Sequence, residues 1–352
     1  MKIDFLLAVA RTGGVEKLIN RYTEYLNGNG HSIRLIQLVY EGDEWFCLPD
    51  CFYPLLKGRA GHNLSEFVNA YSNFLKENDM PDIILATAWP YMSYIGKQAT
   101  TNNDCPNIPV ISWMHAPAEE YARAGYGGYD FLSYADAHFA ISQYIRQGIM
   151  NNIPAAKIID VYNPIDIPDN TLSSHDLSYS ILFVGRLSVE KKIDTIIKAM
   201  AKMNHKEVTL TVVGDGDQRS SLVSLARKIG VSDRINWVGW QTDPWAYGEK
   251  ADFVILSSAY EGFPLTALEA LAHGIPVIST PVSGIAEIIV PGANGFLFGH
   301  DDIDMLWQLL DMYYDKKFPT ILPQKCRESV MQYDSKISFK DFEDKLLLMS
   351  RN

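Results

Sequence analysis

Short apolar runs alternate with helix-periodic segments along the whole chain, and this alternation constrains the fold more than any other feature. Candidate strands lie at 2–9, 32–39, 83–88, 109–114, 137–141 and 158–162. A second series follows at 180–184, 208–213, 235–238, 253–257, 276–279 and 296–298. Between them the period changes. Within 14–29, Val15, Leu18, Ile19, Tyr22 and Leu26 fall on one helical face, and within 218–230 Leu222, Leu225, Ala226 and Ile229 do the same. Strands that alternate with helices pair in parallel and need helices on both faces. The expected class is therefore α/β, with two doubly wound parallel sheets.

A length of 352 residues suits two such domains better than one core. The boundary is expected in Val161-Tyr162-Asn163-Pro164-Ile165-Asp166, where Asn-Pro signals a turn and a polar stretch from Asp169 to Ser178 follows. This gives a first domain over 1–165, a second over 166–334, and a last helix over 335–352. Phe339, Phe342, Leu346 and Leu347 lie along one side of that helix, which is expected to pack back toward the first domain.

Composition removes several functional classes. The net charge is −11, and both halves share the acidic excess, so a nucleic-acid surface is not expected. No run of about 18 apolar residues marks a spanning helix. The apolar N-terminus is short and interrupted by Asp4, so it reads as a buried strand and not as a signal peptide. Cys47, Cys51, Cys105 and Cys326 do not have zinc-site spacing and read as reduced thiols of a cytoplasmic protein.

In open parallel sheets ligands bind beyond the carboxyl ends of the strands, so the residues just after each strand carry the functional question. The first strand runs into Gly13-Gly14 at a helix start, which is either a bare tight turn or an anion-binding loop. It is neither a dinucleotide fingerprint nor a P-loop. His115 follows the strand at 109–114 and is either a structural histidine or a donor to a sugar hydroxyl. Arg186 and Lys191 follow the strand at 180–184, and two cations there suit a diphosphate or a solvated basic turn. Asp215 and Asp217 flank Gly216 in a turn, and a turn and helix-cap role is expected in preference to metal binding.

The richest stretch runs from Ser257 to Leu271. Glu261 lies in a loop, Pro264 suits a first helical turn, and the amides of Phe263 to Leu265 open into the same space. Leu265, Leu268, Leu271 and Ala272 form the expected buried stripe, with Thr266, Glu269 and His273 beside it. Glu261 and Glu269 could then accept hydrogen bonds from one ligand's hydroxyls, or serve only as a helix-start charge and a solvated face.

Glu261-Gly262-Phe263-Pro264 through Glu269 resembles the Glu-x7-Glu motif of family 4 retaining glycosyltransferases, which have the GT-B fold of two Rossmann-like domains facing a central cleft. Gly185-Arg186-Leu187 with Lys191, Gly13-Gly14-Val15-Glu16 and His115 are similar to the same family's other motifs, in the same order. Within it, Ser112-Trp113-Met114-His115, Tyr162-Asn163-Pro164, Gly239-Trp240-Gln241 and Pro244-Trp245 resemble bacterial lipopolysaccharide 1,6-galactosyltransferases, whereas 40–63 does not match.

The resemblance implies transfer of a hexose, galactose or glucose, from a UDP-sugar to a polysaccharide, lipopolysaccharide or lipid-linked glycan. Arg186 and Lys191 would bind the diphosphate with help from Gly13 and Gly14, Glu269 the ribose hydroxyls, and Val238 to Gln241 the base. Glu261 with Gly262, Phe263, Pro264 and Leu265 would hold the donor sugar, and His115 its 6-position. No metal or other cofactor is implied. A lipid-linked acceptor would bring the protein to the inner face of a membrane. The competing readings are a sugar phosphorylase or nucleotide-sugar epimerase on the same fold, and a non-catalytic glycan-binding partner. The last should have lost Arg186, Lys191 or one of the two glutamates, and all four are present.

Overall fold

The computed structural model describes residues 1–9, 14–42, 45–58, 62–169, 177–282 and 284–350. The chain divides into two compact units, Met1–Pro164 with Lys336–Asn352, and Ile165–Ser335. Ile165 belongs to the second unit because it pairs with the segment that leaves that unit. Its amide donates to Tyr333 O, and its carbonyl accepts from Ser335 N.

The first unit is built on seven parallel strands: β1 (Lys2–Leu7), β2 (Ser32–Tyr40), β3 (Phe52–Lys57), β4 (Ile83–Thr87), β5 (Val110–Trp113), β6 (Ala137–Ala140) and β7 (Ile158–Asp160). Their order is β3-β2-β1-β4-β5-β6-β7. Every residue of β4, β5 and β6 is buried, as expected of strands covered on both faces. Asp4 interrupts the apolar run of β1 because Arg34, its register partner on β2, holds both carboxylate oxygens at 2.5 and 2.8 Å. Tyr71 adds a third bond at 2.6 Å, so the buried charge is paired and hydrogen-bonded.

Strand β3 was not among the sequence candidates. It contains Pro54, which cannot donate to a ladder, and it occupies the sheet edge, where that is tolerated. The helix Ser335–Ser350 follows the second unit in sequence but packs in the first. Phe342 lies 4.1 Å from the Tyr22 ring and 5.1 Å from that of Trp113, and Glu343 meets His31 at 2.9 Å.

The second unit has six parallel strands: β8 (Ser180–Val184), β9 (Thr209–Val213), β10 (Ile235–Gly239), β11 (Phe253–Leu256), β12 (Val277–Ser279) and β13 (Gly295–Leu297). Their order is β10-β9-β8-β11-β12-β13. In both sheets strand order reverses beside the first strand, between β1 and β4 and between β8 and β11. Crevices at such reversals are where open parallel sheets bind ligands. Among the described residues, no helix is long and apolar enough to cross a membrane.

Candidate active site

In the second unit the chain leaves β8 through Gly185-Arg186-Leu187. Gly214 and Gly216 form the floor beneath it. A Cβ on Gly214 would lie 1.9 Å from Gly185 O, and one on Gly216 would lie 2.4 Å from Leu187 O. Only glycines permit this approach, and it is locked by Gly185 N to Val213 O at 3.0 Å and Leu187 N to Asp215 O at 3.0 Å. Asp215 accepts from Gly216 N at 2.8 Å and from Arg219 at 2.9 Å, which is a turn role. The helix-cap role fails, because Gln218 precedes the helix Arg219–Lys228 and no side chain caps it. Leu187 is buried and anchors the loop, while Arg186 is exposed, its carbonyl accepts from Ser188 N at 3.1 Å, and its guanidinium makes no hydrogen bond or ion pair among the described residues.

Lys191 and Glu261 meet at 2.5 Å, one from the loop after β8 and one from the loop after β11. Both are mostly shielded, with side-chain exposures of 22% and 15%. Ser258 Oγ donates to the same Glu261 oxygen at 2.7 Å. Ser257 Oγ donates to the carbonyls of Lys191 and Lys192 at 2.8 and 2.9 Å, and Ala259 N to Glu190 O at 2.7 Å. From the loop after β12, Thr280 Oγ1 donates to Ser258 O at 2.6 Å. Three strand-end loops thus hold one ion pair. Sequence reasoning named Lys191 and Glu261 separately, not as a pair, and missed Ser258, which bonds within its own loop, and Thr280, which bonds from a neighbouring one.

The helix that follows starts at Leu265, with Pro264 as its cap residue and no side-chain cap. The amides of Leu265 and Thr266 have no acceptor among the described residues, so the helix opens on free donors. Phe263 is buried below this turn. A Cβ on Gly284, where φ is +81°, would lie 2.2 Å from the Phe263 ring. Phe263 and Pro264 therefore face inward and leave backbone groups at the helix start, and Gly262 is half-exposed. Glu269 is half-buried on the same helix and accepts from Trp245 Nε1 at 3.2 Å. The expected stripe is partly redrawn, with Ala267 and Ala270 buried and Leu265 partly exposed.

Val238 lies at a register shift in β10, between Trp237, which pairs with Val212, and Gly239, which pairs with Val213. Such a bulge re-aims a strand end. Gly239 (φ +87°) then turns the chain, so that Trp240 is 65% exposed and Gln241 half-buried past the sheet edge.

In the first unit His115 lies just past β5, buried, with its ring 4.5 Å from that of Trp113. Burial pushes its pKa down to about 3, so the imidazole is neutral, and Nε2 has no partner among the described residues. Gly14 is the exposed first residue of the helix Gly14–Gly28, and Gly13 lies outside the described residues. Among the described residues no three His, Cys, Asp or Glu side chains cluster as metal ligands, and the four cysteines are unbridged.

Comparison with known proteins gives a consistent picture. Residues 12–168 match the model described as Glycosyltransferase Family 4, and residues 171–331 that of Glycosyl transferases group 1. The chain is 33% identical to lipopolysaccharide 1,6-galactosyltransferase of Escherichia coli K12 over 71% of its length and 70% of that protein's. It is 32% identical to the Salmonella typhimurium enzyme of the same name, over 68% and 67%. Among solved structures, the apo form of the lipopolysaccharide outer core galactosyltransferase WaaB superposes with a TM-score of 0.86 at 26% identity, over 99% of both chains. The Anabaena protein HepE in complex with UDP shares the fold at a TM-score of 0.80 and 18% identity, over 99% of this chain and 100% of its own.

Proposed function

The chain belongs to the glycosyltransferases of family 4 and group 1, and from that premise we propose that it transfers a hexose, galactose or glucose, from a UDP-sugar to lipopolysaccharide or another cell-surface glycan, with retention of configuration. The observation that carries this reading is the Lys191–Glu261 pair, held by three strand-end loops at a sheet reversal, with Arg186, whose guanidinium has no partner among the described residues, on the same loop as Lys191. A diphosphate draws Lys191 and Arg186, and Glu261, relieved of its cation, accepts from sugar hydroxyls. The free amides at Leu265 and Thr266 add donors, together with Gly262 and Phe263. Glu269 takes the ribose hydroxyls, Val238 to Gln241 border the base, and Gly13 and Gly14 support the phosphates. The family resemblance assigns the neutral imidazole of His115 a hydrogen bond to the sugar's 6-position.

The bond between the anomeric carbon and the diphosphate oxygen breaks as an acceptor hydroxyl attacks the same face. The acceptor proton passes to the leaving phosphate. Charge develops on the diphosphate, and two cations, Lys191 and Arg186, stabilise it without a metal. A lipid-linked acceptor places the reaction at the inner face of a membrane. The lipopolysaccharide-directed enzymes of Escherichia coli and Salmonella typhimurium, similar over most of their length, support this acceptor class.

The test is a binding and slow-hydrolysis screen with UDP-galactose, UDP-glucose, UDP-N-acetylglucosamine and GDP-mannose, run with chelator. The expected result is selective use of a UDP-hexose that chelator leaves intact. A preference for GDP-mannose would replace the donor, and activity that chelator abolishes and manganese restores would end the metal-free mechanism.

A further inference from the structure

Trp245 lies in the short turn Pro244–Tyr247, between β10 and β11. It is held from several sides. Its amide donates to Asp243 Oδ1 at 3.1 Å, and its carbonyl accepts from Gly248 N at 2.8 Å. The His273 ring stacks on the indole, with centroids 5.1 Å apart and planes 24° from parallel. The indole is nearly buried, and its N–H, which can only donate, meets Glu269 Oε2 at 3.2 Å. Glu269 and His273 are four residues apart, so one helical strip presents both groups to one indole.

We infer that Trp245 is a positioning residue for Glu269, fixing the carboxylate in the orientation that receives the ribose hydroxyls of the donor nucleotide. The inference rests on the nucleotide-site reading above. A glutamate has three side-chain torsions and no fixed direction of its own. Trp245 holds one oxygen at a set point, while backbone bonds and the His273 ring hold Trp245. The carboxylate is then oriented before ligand arrives, and less ordering entropy is lost on binding.

Trp245→Phe keeps the ring and removes the donor. Calorimetry compares UDP with 2′-deoxy-UDP in wild type, Trp245→Phe and Glu269→Ala. In wild type, loss of the 2′-hydroxyl weakens binding roughly tenfold, the scale of a hydrogen bond to a charged group. In Trp245→Phe, UDP binds roughly tenfold more weakly and the two ligands fall within about threefold of each other, as coupled groups require. His273→Leu, which removes the stacked ring and spares the indole N–H, shrinks the same ratio in part and stands in if Trp245→Phe does not fold.

Equal weakening of both ligands in Trp245→Phe, with the wild-type ratio kept, would reduce Trp245 to a packing residue. If neither variant moves the ratio while Glu269→Ala abolishes UDP binding, this inference alone falls. If wild type binds no UDP, or Glu269→Ala binds it normally, the nucleotide-site reading falls and takes the inference with it.

Discussion

In the second unit, the loops after β8, β11 and β12 are laced together around two opposite charges by hydrogen bonds from Ser257, Ser258 and Thr280. The residues just past β4 and β5 in the first unit are of another kind. His115 is neutral and its Nε2 has no partner among the described residues, nor has Nε1 of Trp113, the last residue of β5, and Trp89 stacks flat on Tyr126 at 3.8 Å. The two sheets share a strand order around their reversals, so topology does not explain the difference. It lies in the few residues at and after each strand end, which set opposite charges together in one unit and a neutral imidazole among aromatic rings in the other. A shared fold supplies the place, and strand-end residues supply the chemistry.

The most forceful way to break this contrast is kinetic. Lys191→Ala and Glu261→Ala should each lower turnover by roughly a hundredfold or more, as loss of a preorganised charged contact does. His115→Ala should cost less, roughly tenfold, the scale of one neutral hydrogen bond. Steady-state rates with the preferred donor decide it, and equal losses at all three positions would erase the distinction.

Glycines sharpen the same contrast through stability. Gly214→Ala sets a methyl 1.9 Å from Gly185 O at φ +139°, and should destabilise the second unit by about 2 kcal/mol or more. Gly14→Ala places its methyl in open space and should change stability by less than about 1 kcal/mol. Denaturant melts read both, and a wild-type melt for Gly214→Ala would mean that the floor under Arg186 is not rigid.

The smallest effect is electrostatic. Burial lowers the pKa of His115 to about 3 and of His138 to about 4. Hydrogen bonding to Glu207, aided by Asp315, raises that of His205 in the second unit despite some desolvation. Below about pH 6.5 the unfolded chain takes up protons that folded His115 and His138 refuse, so their contribution is present above that pH and lost on acidification. His205 runs the other way, contributing below its unfolded pKa and losing that as pH rises through its folded one. Imidazole resonances followed from pH 5 to 8 should stay flat for the first two and titrate for the third. Titration of His115 near 6.5 would contradict a desolvated imidazole.

The strand series was legible because parallel strands covered on both faces read as unbroken apolar runs, as in Ile83–Thr87. Phe52–Lys57 was not, since Pro54 argues against a strand and only an edge position overrules it. Lys191 and Glu261 were legible as residues just past strands. Their 2.5 Å contact and the Thr280 bond to Ser258 span 70 and 22 residues, which no local period encodes, whereas the Ser258 bond to Glu261 spans 3 and depends on how the loop turns. The strip of Thr266, Glu269 and His273 followed from helical spacing, whereas its partner Trp245 comes from a turn 24 residues away from Glu269.

The helix Ser335–Ser350 bears on how the chain is made. Translation delivers the first unit early, but Phe342, whose ring rests on Tyr22, Trp113 and Phe139, emerges only after all of the second unit. Domains usually fold in the order of their synthesis. Here the unit that begins first must wait with an aromatic gap beside Trp113, while the second can close without it. A premature stop in the last helix would therefore leave the defect in the portion of the molecule farthest from it in sequence.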